Sequence, residues 1–163
     1  MVWFGDSNQE NNAMSHENST TSTSKGKGFK YFRKRLHEEI LRSQRCLHTF
    51  TLMCLSVDAI ENNNTDEQLN TTLKGAIREY DLLCTIKPAE YFIAFPETNE
   101  HHAELIAERI RDRIHEEGWK EQMPISVEAN IGIACFPHDG KTTEDLLLSA
   151  EHDLKQARIK RRQ

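Results

Sequence analysis

The chain has 163 residues, of which 37% are hydrophobic and 29% charged, and a formal net charge of −5; that suffices for one domain with a proper core and is too short for two domains and a linker. No apolar run approaches the roughly 20 residues that a membrane-crossing helix needs, and the residues after Met1–Phe4 are polar instead of forming an apolar export segment, so a cytoplasmic protein with no membrane insertion is expected. An acidic total is unsuited to sustained binding of long nucleic acid.

Residues 1–28 form a separate compositional region. Twelve of them are Asn, Ser or Thr, Ser19–Ser24 is low in complexity, and Gly26 and Gly28 punctuate its end. A disordered tail over 1–28 is expected, followed by a domain over 29–163. Trp3 and Phe4 put an aromatic tip on this polar tether, a candidate docking element for a partner.

Phe29, Phe32, Leu36 and Ile40 recur at helical spacing, which predicts an amphipathic helix over 29–46. The β-rich apolar run Thr49–Asp58 predicts a central strand. Asn62–Asn64 reads as a loop, and Thr65 or Asp66 starts a helix whose stripe is Leu69, Leu73, Ala76, Ile77 and Tyr80. Strands over Leu82–Ile86 and Tyr91–Phe95 flank a hairpin turn at Lys87–Ala89. A long helix runs from Glu97 to Gly118 on Leu105, Ile106, Ile110 and Ile114. From Ile125 to Cys135 apolar residues alternate with Ser126, Glu128, Asn130 and Gly132, the pattern of a strand. Thr142 or Thr143 caps a last helix carrying Leu146, Leu147, Ala150, Leu154 and Ala157. The order α-β-α-β-β-α-β-α predicts an α+β fold, a palm-like α/β sandwich with a central mixed sheet that contains antiparallel pairing and is flanked by helices.

Cys46, Cys54, Cys84 and Cys135 show no CxxC spacing, and the last three lie in apolar surroundings where a reduced thiol behaves as a small hydrophobe. None of the eight histidines sits at zinc-ligand spacing. Basic residues gather between Lys25 and Arg45 and again from Arg158 to Arg162, a distribution typical of solvated helix faces.

Eight stretches, in this order and spacing, carry a resemblance: Tyr31–Leu36, Leu52–Asp58, Arg78–Asp81, Ile93–Thr98, Ala107–Arg111, Asn130–Ala134, Phe136–Gly140 and Ala150–Arg158. From Phe29 to Arg162 the chain resembles the GGDEF domain, the fold of bacterial diguanylate cyclases, which join two GTP molecules into cyclic di-GMP. The family signature falls on the hairpin turn, where this chain has Lys87, Pro88, Ala89, Glu90 and Tyr91. The resemblance implies two glycines at positions 87 and 88 that admit the GTP phosphates, an acidic Mg²⁺ ligand at 89 and a second one, an aspartate, at 56. Lys87, Pro88, Ala89 and Ser56 stand there instead. Phosphoryl transfer of this kind depends on divalent cations, so no enzymatic activity, no Mg²⁺ and no other cofactor are expected. Asp58 lies a pleat away from Ser56 and Glu90 alternates with Ala89, so neither is a ready replacement. The segment after Asn64 is also shorter than the family's and lacks its guanine-reading stretch.

A second family site has matching residues. An Arg-x-x-Asp motif ahead of the signature forms the family's inhibitory site for cyclic di-GMP, and Arg78 and Asp81 stand at the matching distance, with Arg109 matching a further arginine from the long helix. Guanidinium groups bind phosphate oxygens and the Hoogsteen edge of guanine through paired hydrogen bonds, and Asp81 can accept from guanine N–H groups. Arg158 and Arg162 match basic positions that contact GTP phosphates in the family. The resemblance therefore implies a catalytically inactive receptor that binds cyclic di-GMP and signals through a protein partner of unknown identity. A nucleotide-independent interaction module is the alternative, and a residually active cyclase the third reading.

Overall fold

The fold was determined from a computed structural model that describes residues 21–58, 65–117 and 127–163. The elements are α1 (Thr21–Cys46), β1 (Phe50–Asp58), α2 (Thr65–Ala76), β2 (Leu82–Lys87), β3 (Glu90–Phe95), α3 (Glu100–Glu117), β4 (Glu128–Phe136) and α4 (Thr143–Arg162). Their order is the expected one. The strands form one sheet in the order β2-β3-β1-β4, antiparallel at each junction. No parallel pair, of the kind a mixed sheet carries, occurs among the described strands.

The long apolar run of β1 has its cause in this order. As an inner strand it is covered on both faces, so every residue from Phe50 to Val57 is buried and the run does not alternate. Phe50, Leu52 and Cys54 join Phe92, Ala94, Ala134 and Phe136 in a core beneath α1 and α4. Met53, Leu55 and Val57 join Tyr91, Ile93, Phe95 and Ile131 in a second core beneath α2 and α3. The aromatic rings of the first core are stacked, Phe32 on Phe92 at 6.0 Å and Phe50 on Phe136 at 5.2 Å.

Element ends depart from the sequence pattern in several places. Helix α2 ends at Ala76, so Ile77 and Tyr80, expected on its stripe, lie in the turn beyond it. Helix α1 starts at Thr21, eight residues before Phe29, so the expected boundary between tail and domain at residues 28 and 29 falls inside a helix. The Ser, Thr and Gly residues there are weak helix formers, but extending an existing helix costs far less than nucleating one. Trp3, Phe4 and the rest of 1–20 lie outside the described residues, as do Asn62–Asn64 and Gly118. Helix α3 starts at Glu100 instead of Glu97, because Glu97 holds a left-handed backbone angle (φ 50°) and Asn99 caps the helix, its Oδ1 accepting from His102 N at 2.9 Å. At α4 the cap is Thr142, whose side chain accepts from Asp145 N at 3.1 Å. Among the described residues no helix is long and apolar enough to cross a membrane.

Candidate functional site

Two separate sites emerge where the resemblance places functional residues. The first is the corner between α2 and β2. Asp81 is buried, its side chain 1% exposed, and its Oδ2 accepts from the backbone N–H of Arg78 at 2.7 Å, closing a tight turn. The Arg78 guanidinium folds back onto the same carboxylate, Nε to Oδ2 at 3.4 Å and Nη2 to Oδ1 at 3.3 Å. Nη2 also donates to Thr98 Oγ1 at 3.0 Å, and that hydroxyl in turn donates to Pro96 O. The guanidinium lies 4.7 Å from the centroid of the Tyr80 ring, a cation–π distance. Its side chain is 42% exposed. The exposed group of this pair is thus the guanidinium, held in place by a buried carboxylate, a hydroxyl and an aromatic ring.

Arg109 reaches the same corner from α3, but its Nη2 donates to Ala76 O at 2.9 Å. One helical turn on, Arg113 Nη1 donates to Gly75 O at 2.9 Å. The two arginines satisfy carbonyls at the C-terminus of α2 and place positive charge at the negative end of its dipole. Arg78, Asp81 and Arg109 are therefore gathered around one helix end. Tyr80, Thr98 and Arg113 belong to the same corner and were missed from sequence. The i, i+4 repeat of Arg109 and Arg113 on one helix was the available signal, whereas Thr98 contributes only because the end of β3 runs beside the corner. Tyr80 also lines an open cavity of about 450 Å³ on its α1 side, where Arg42 is paired with Glu39 and Glu97.

The second site is the hairpin. Its turn is Pro88–Ala89, with a bulge between Thr85 and Lys87. Ala89 holds φ 62° and is gripped from two sides: its N–H donates to Asp66 Oδ1 at 2.8 Å and its carbonyl accepts from Val57 N at 2.9 Å. Ser56 and Glu90 face one another as register partners on β1 and β3. Between them lies Arg158 of α4, whose Nη2 donates to Ser56 Oγ and to Glu90 Oε1, the latter at 3.2 Å. Lys87 Nζ stands 3.3 Å from the same Glu90 oxygen. Asp58 is turned to Asn130, accepting from its Nδ2 at 3.0 Å. A divalent cation requires several oxygen ligands, carboxylates foremost. Glu90 is shared by two cations, Asp66 is taken by the Ala89 N–H and Asp58 by Asn130, and with a serine hydroxyl and an alanine methyl at the remaining positions this set does not fit it.

Comparison with known proteins gives these sites their context. The family model described as "Diguanylate cyclase, GGDEF domain" matches residues 29–163. A cyclic di-GMP phosphodiesterase of Pseudomonas aeruginosa, NbdA, is 21% identical over 104 residues, covering 62% of this chain and 13% of that protein; the chain thus spans only a small part of the relative's length. Among solved structures, the GGDEF domain of YfiN from P. aeruginosa superposes with a TM-score of 0.70 at 20% identity, covering 80% of this chain and 88% of that one. The GGDEF domain of DgcB from Caulobacter crescentus, in complex with c-di-GMP, gives 0.69 at 14% identity over 80% and 84%. The diguanylate cyclase SiaD of P. aeruginosa, in complex with its activator SiaC, gives 0.70 at 24% over 80% and 54%. These likenesses concern the fold. Matched by the family model from residue 29 to its last residue, 163, the chain belongs to the GGDEF domain family.

Proposed function

We propose that this chain is a cytoplasmic, catalytically silent GGDEF protein that binds cyclic di-GMP at Arg78, Asp81 and Arg109 and passes its occupancy to a protein partner. The observation that carries the receptor reading is the preset guanidinium of Arg78, half exposed over Tyr80 and braced by the buried Asp81 and Thr98. A side chain already fixed in a hydrogen-bonding pose loses little entropy on meeting a phosphate or a guanine edge. Arg109 adds a second guanidinium at the same helix end, and a dianionic dinucleotide suits that pair. The absence of turnover is supported by the hairpin, where Ser56 and Ala89 replace carboxylates and Arg158 lies against Glu90; the reading includes no Mg²⁺ and no other cofactor. Family members solved with c-di-GMP and with an activator protein make both kinds of partner reasonable for the fold.

Titration calorimetry of the whole chain with cyclic di-GMP tests the receptor reading. Binding is expected, weakened at least about tenfold in Arg78→Ala, the loss that follows from removing a charged hydrogen-bond donor. Absence of heat, or equal affinity in the variant, refutes it. One observation favours the nucleotide-independent module instead: both Asp81 oxygens already accept from Arg78 inside the fold. If that self-pairing is the motif's whole role, the wild-type titration is flat and Arg78→Ala lowers stability only. Incubation with GTP and Mg²⁺ is expected to yield no cyclic di-GMP, and product formation refutes the silent half of the reading.

A further inference from the structure

Arg78 is tied in two directions, to Asp81 beside it and to Thr98 in the loop that follows β3, and the second tie leads away from the corner. We infer that the loop from Pro96 to Thr98 is a relay: a ligand gripping Arg78 takes that guanidinium from Thr98, and the loop carries the loss through Glu97 to the end of α1. This deepens the proposed function by naming the path along which occupancy leaves the site, and it rests on that reading for the identity of the ligand.

A guanidinium carries five N–H donors in a rigid planar fork. In Arg78, Nε and Nη2 both face Asp81, and Nη2 gives a second hydrogen to Thr98 Oγ1 at 3.0 Å. Among the described residues nothing accepts from Nη1. A phosphate or a guanine edge held through two parallel hydrogen bonds therefore uses Nη1 together with Nη2. The hydrogen it takes from Nη2 is the one that Thr98 holds. Asp81 and Tyr80 keep the guanidinium in place meanwhile.

Thr98 is 2% exposed. Its hydroxyl goes on donating to Pro96 O at 2.9 Å, but its oxygen is left without a donor, a costly condition away from water. The loop that must adjust is held from both sides. Toward the sheet, Thr98 O accepts from Thr51 Oγ1 at 2.9 Å. Glu97 holds a left-handed backbone angle, which persists only while its surroundings enforce it. That enforcement comes from the end of α1 and the turn after it: Glu97 Oε1 accepts from Arg42 Nη2 at 3.1 Å and lies 3.6 Å from His48 Nδ1. A shift of Thr98 thus alters the charge pairing of Arg42, whose other partner is Glu39 on its own helix. Occupancy at one corner becomes a change at the C-terminal end of α1.

Cys46, one helical turn beyond Arg42, is exposed whereas Cys54, Cys84 and Cys135 are buried, so an environment-sensitive fluorophore on that thiol reports on the end of α1 in the full chain. Calorimetry and emission are followed together as cyclic di-GMP is added to wild type and to E97Q, a change at a residue that makes no hydrogen bond to Arg78. Wild-type emission should shift with the same midpoint as the heat. Linkage sets the sign in E97Q: if ligand loosens Glu97, a chain in which Glu97 is already loose binds about fivefold tighter and shows at most half the shift. Heat without an emission shift in wild type overturns the relay, as does an affinity in E97Q that is unchanged or lower, or an emission shift that is undiminished. A flat calorimetric trace refutes the receptor reading, and the relay is then judged without ligand, by urea unfolding of R78A, E97Q and the double variant. The double variant should lose less than the sum of the two single losses, and strictly additive losses overturn the relay.

Discussion

At Ala89 the backbone turns through φ 62°, a left-handed angle in which a Cβ crowds the following carbonyl at a cost of about 1–2 kcal/mol. The turn persists because Asp66 and Val57 hold both ends of that residue by hydrogen bonds. Ala89→Gly is therefore expected to stabilise the fold by about 1 kcal/mol, part of the relief being returned as greater freedom of the unfolded chain. The thermal midpoint should rise by about 2–4 °C; an unchanged or lower midpoint would show that the alanine is unstrained. The turn itself was legible, since Pro88 between two short apolar runs announces a hairpin. What fills the space beside it was indicated only by the family resemblance, which matches Arg158 to a phosphate-contacting position. Arg158 stands 102 positions from Ser56, and no local spacing links a C-terminal arginine to the end of the first strand. The same limit hid Thr98 from the Arg78 corner, although Arg78 and Asp81, three residues apart, needed only the turn between them.

Between elements, α4 comes close to the backbone of β4 at Gly132. A Cβ built there would lie 2.2 Å from Ala150 O, 2.3 Å from Leu154 N and 2.8 Å from Leu154 Cα. These are backbone atoms of a helix, which cannot rotate away as a side chain would. Gly132→Ala must push α4 off the sheet and disturb the core of Leu146, Leu147, Ala150 and Leu154. A loss of about 3 kcal/mol or more is expected from such overpacking, read as a lower urea midpoint. A near-neutral change would mean that α4 can stand away from β4, and the Arg158 bridge would then be no firmer than its own hydrogen bonds. The strand pattern could not announce this contact. Gly132 occupies a place in the alternation where a polar residue is expected to meet water, yet Asn130 and Gly132 are buried because the last helix covers that face. Periodicity of 3.6 revealed the helices and periodicity of 2 the last strand, since it records burial along each one, while β1, covered on both faces, was legible from its unbroken β-rich apolar run. Which helix covers which face is a property of the assembled sheet.

For the whole molecule, the two cores set a limit on the alkaline side. Burial pushes the Cys54 thiol up to about 12 from 9.0 and Cys84 to about 11, both in the core beneath α1 and α4. In the opposite core burial raises the Tyr91 phenol from 10.0 to about 12. Burial also raises Cys135, against a hydrogen bond with Thr51 that lowers it. In each case the folded protein keeps a proton that the unfolded chain gives up at lower pH. The stabilisation by the neutral groups is complete below the unfolded values and drains away as pH rises toward the folded ones. Stability should hold up to about pH 9 and fall steadily toward pH 12. Thermal midpoints measured under reducing conditions across that range check it. Cys54→Ala removes one of the protons involved and should flatten the decline, despite a lower midpoint at neutral pH from the lost sulfur. A midpoint that stays level to pH 11, or a decline equally steep in Cys54→Ala, would mean that the thiol ionises as freely in the folded protein as in water. The same burial predicts that exposed Cys46 reacts quickly with a thiol reagent at neutral pH, whereas Cys54, Cys84 and Cys135 react only as fast as the fold opens.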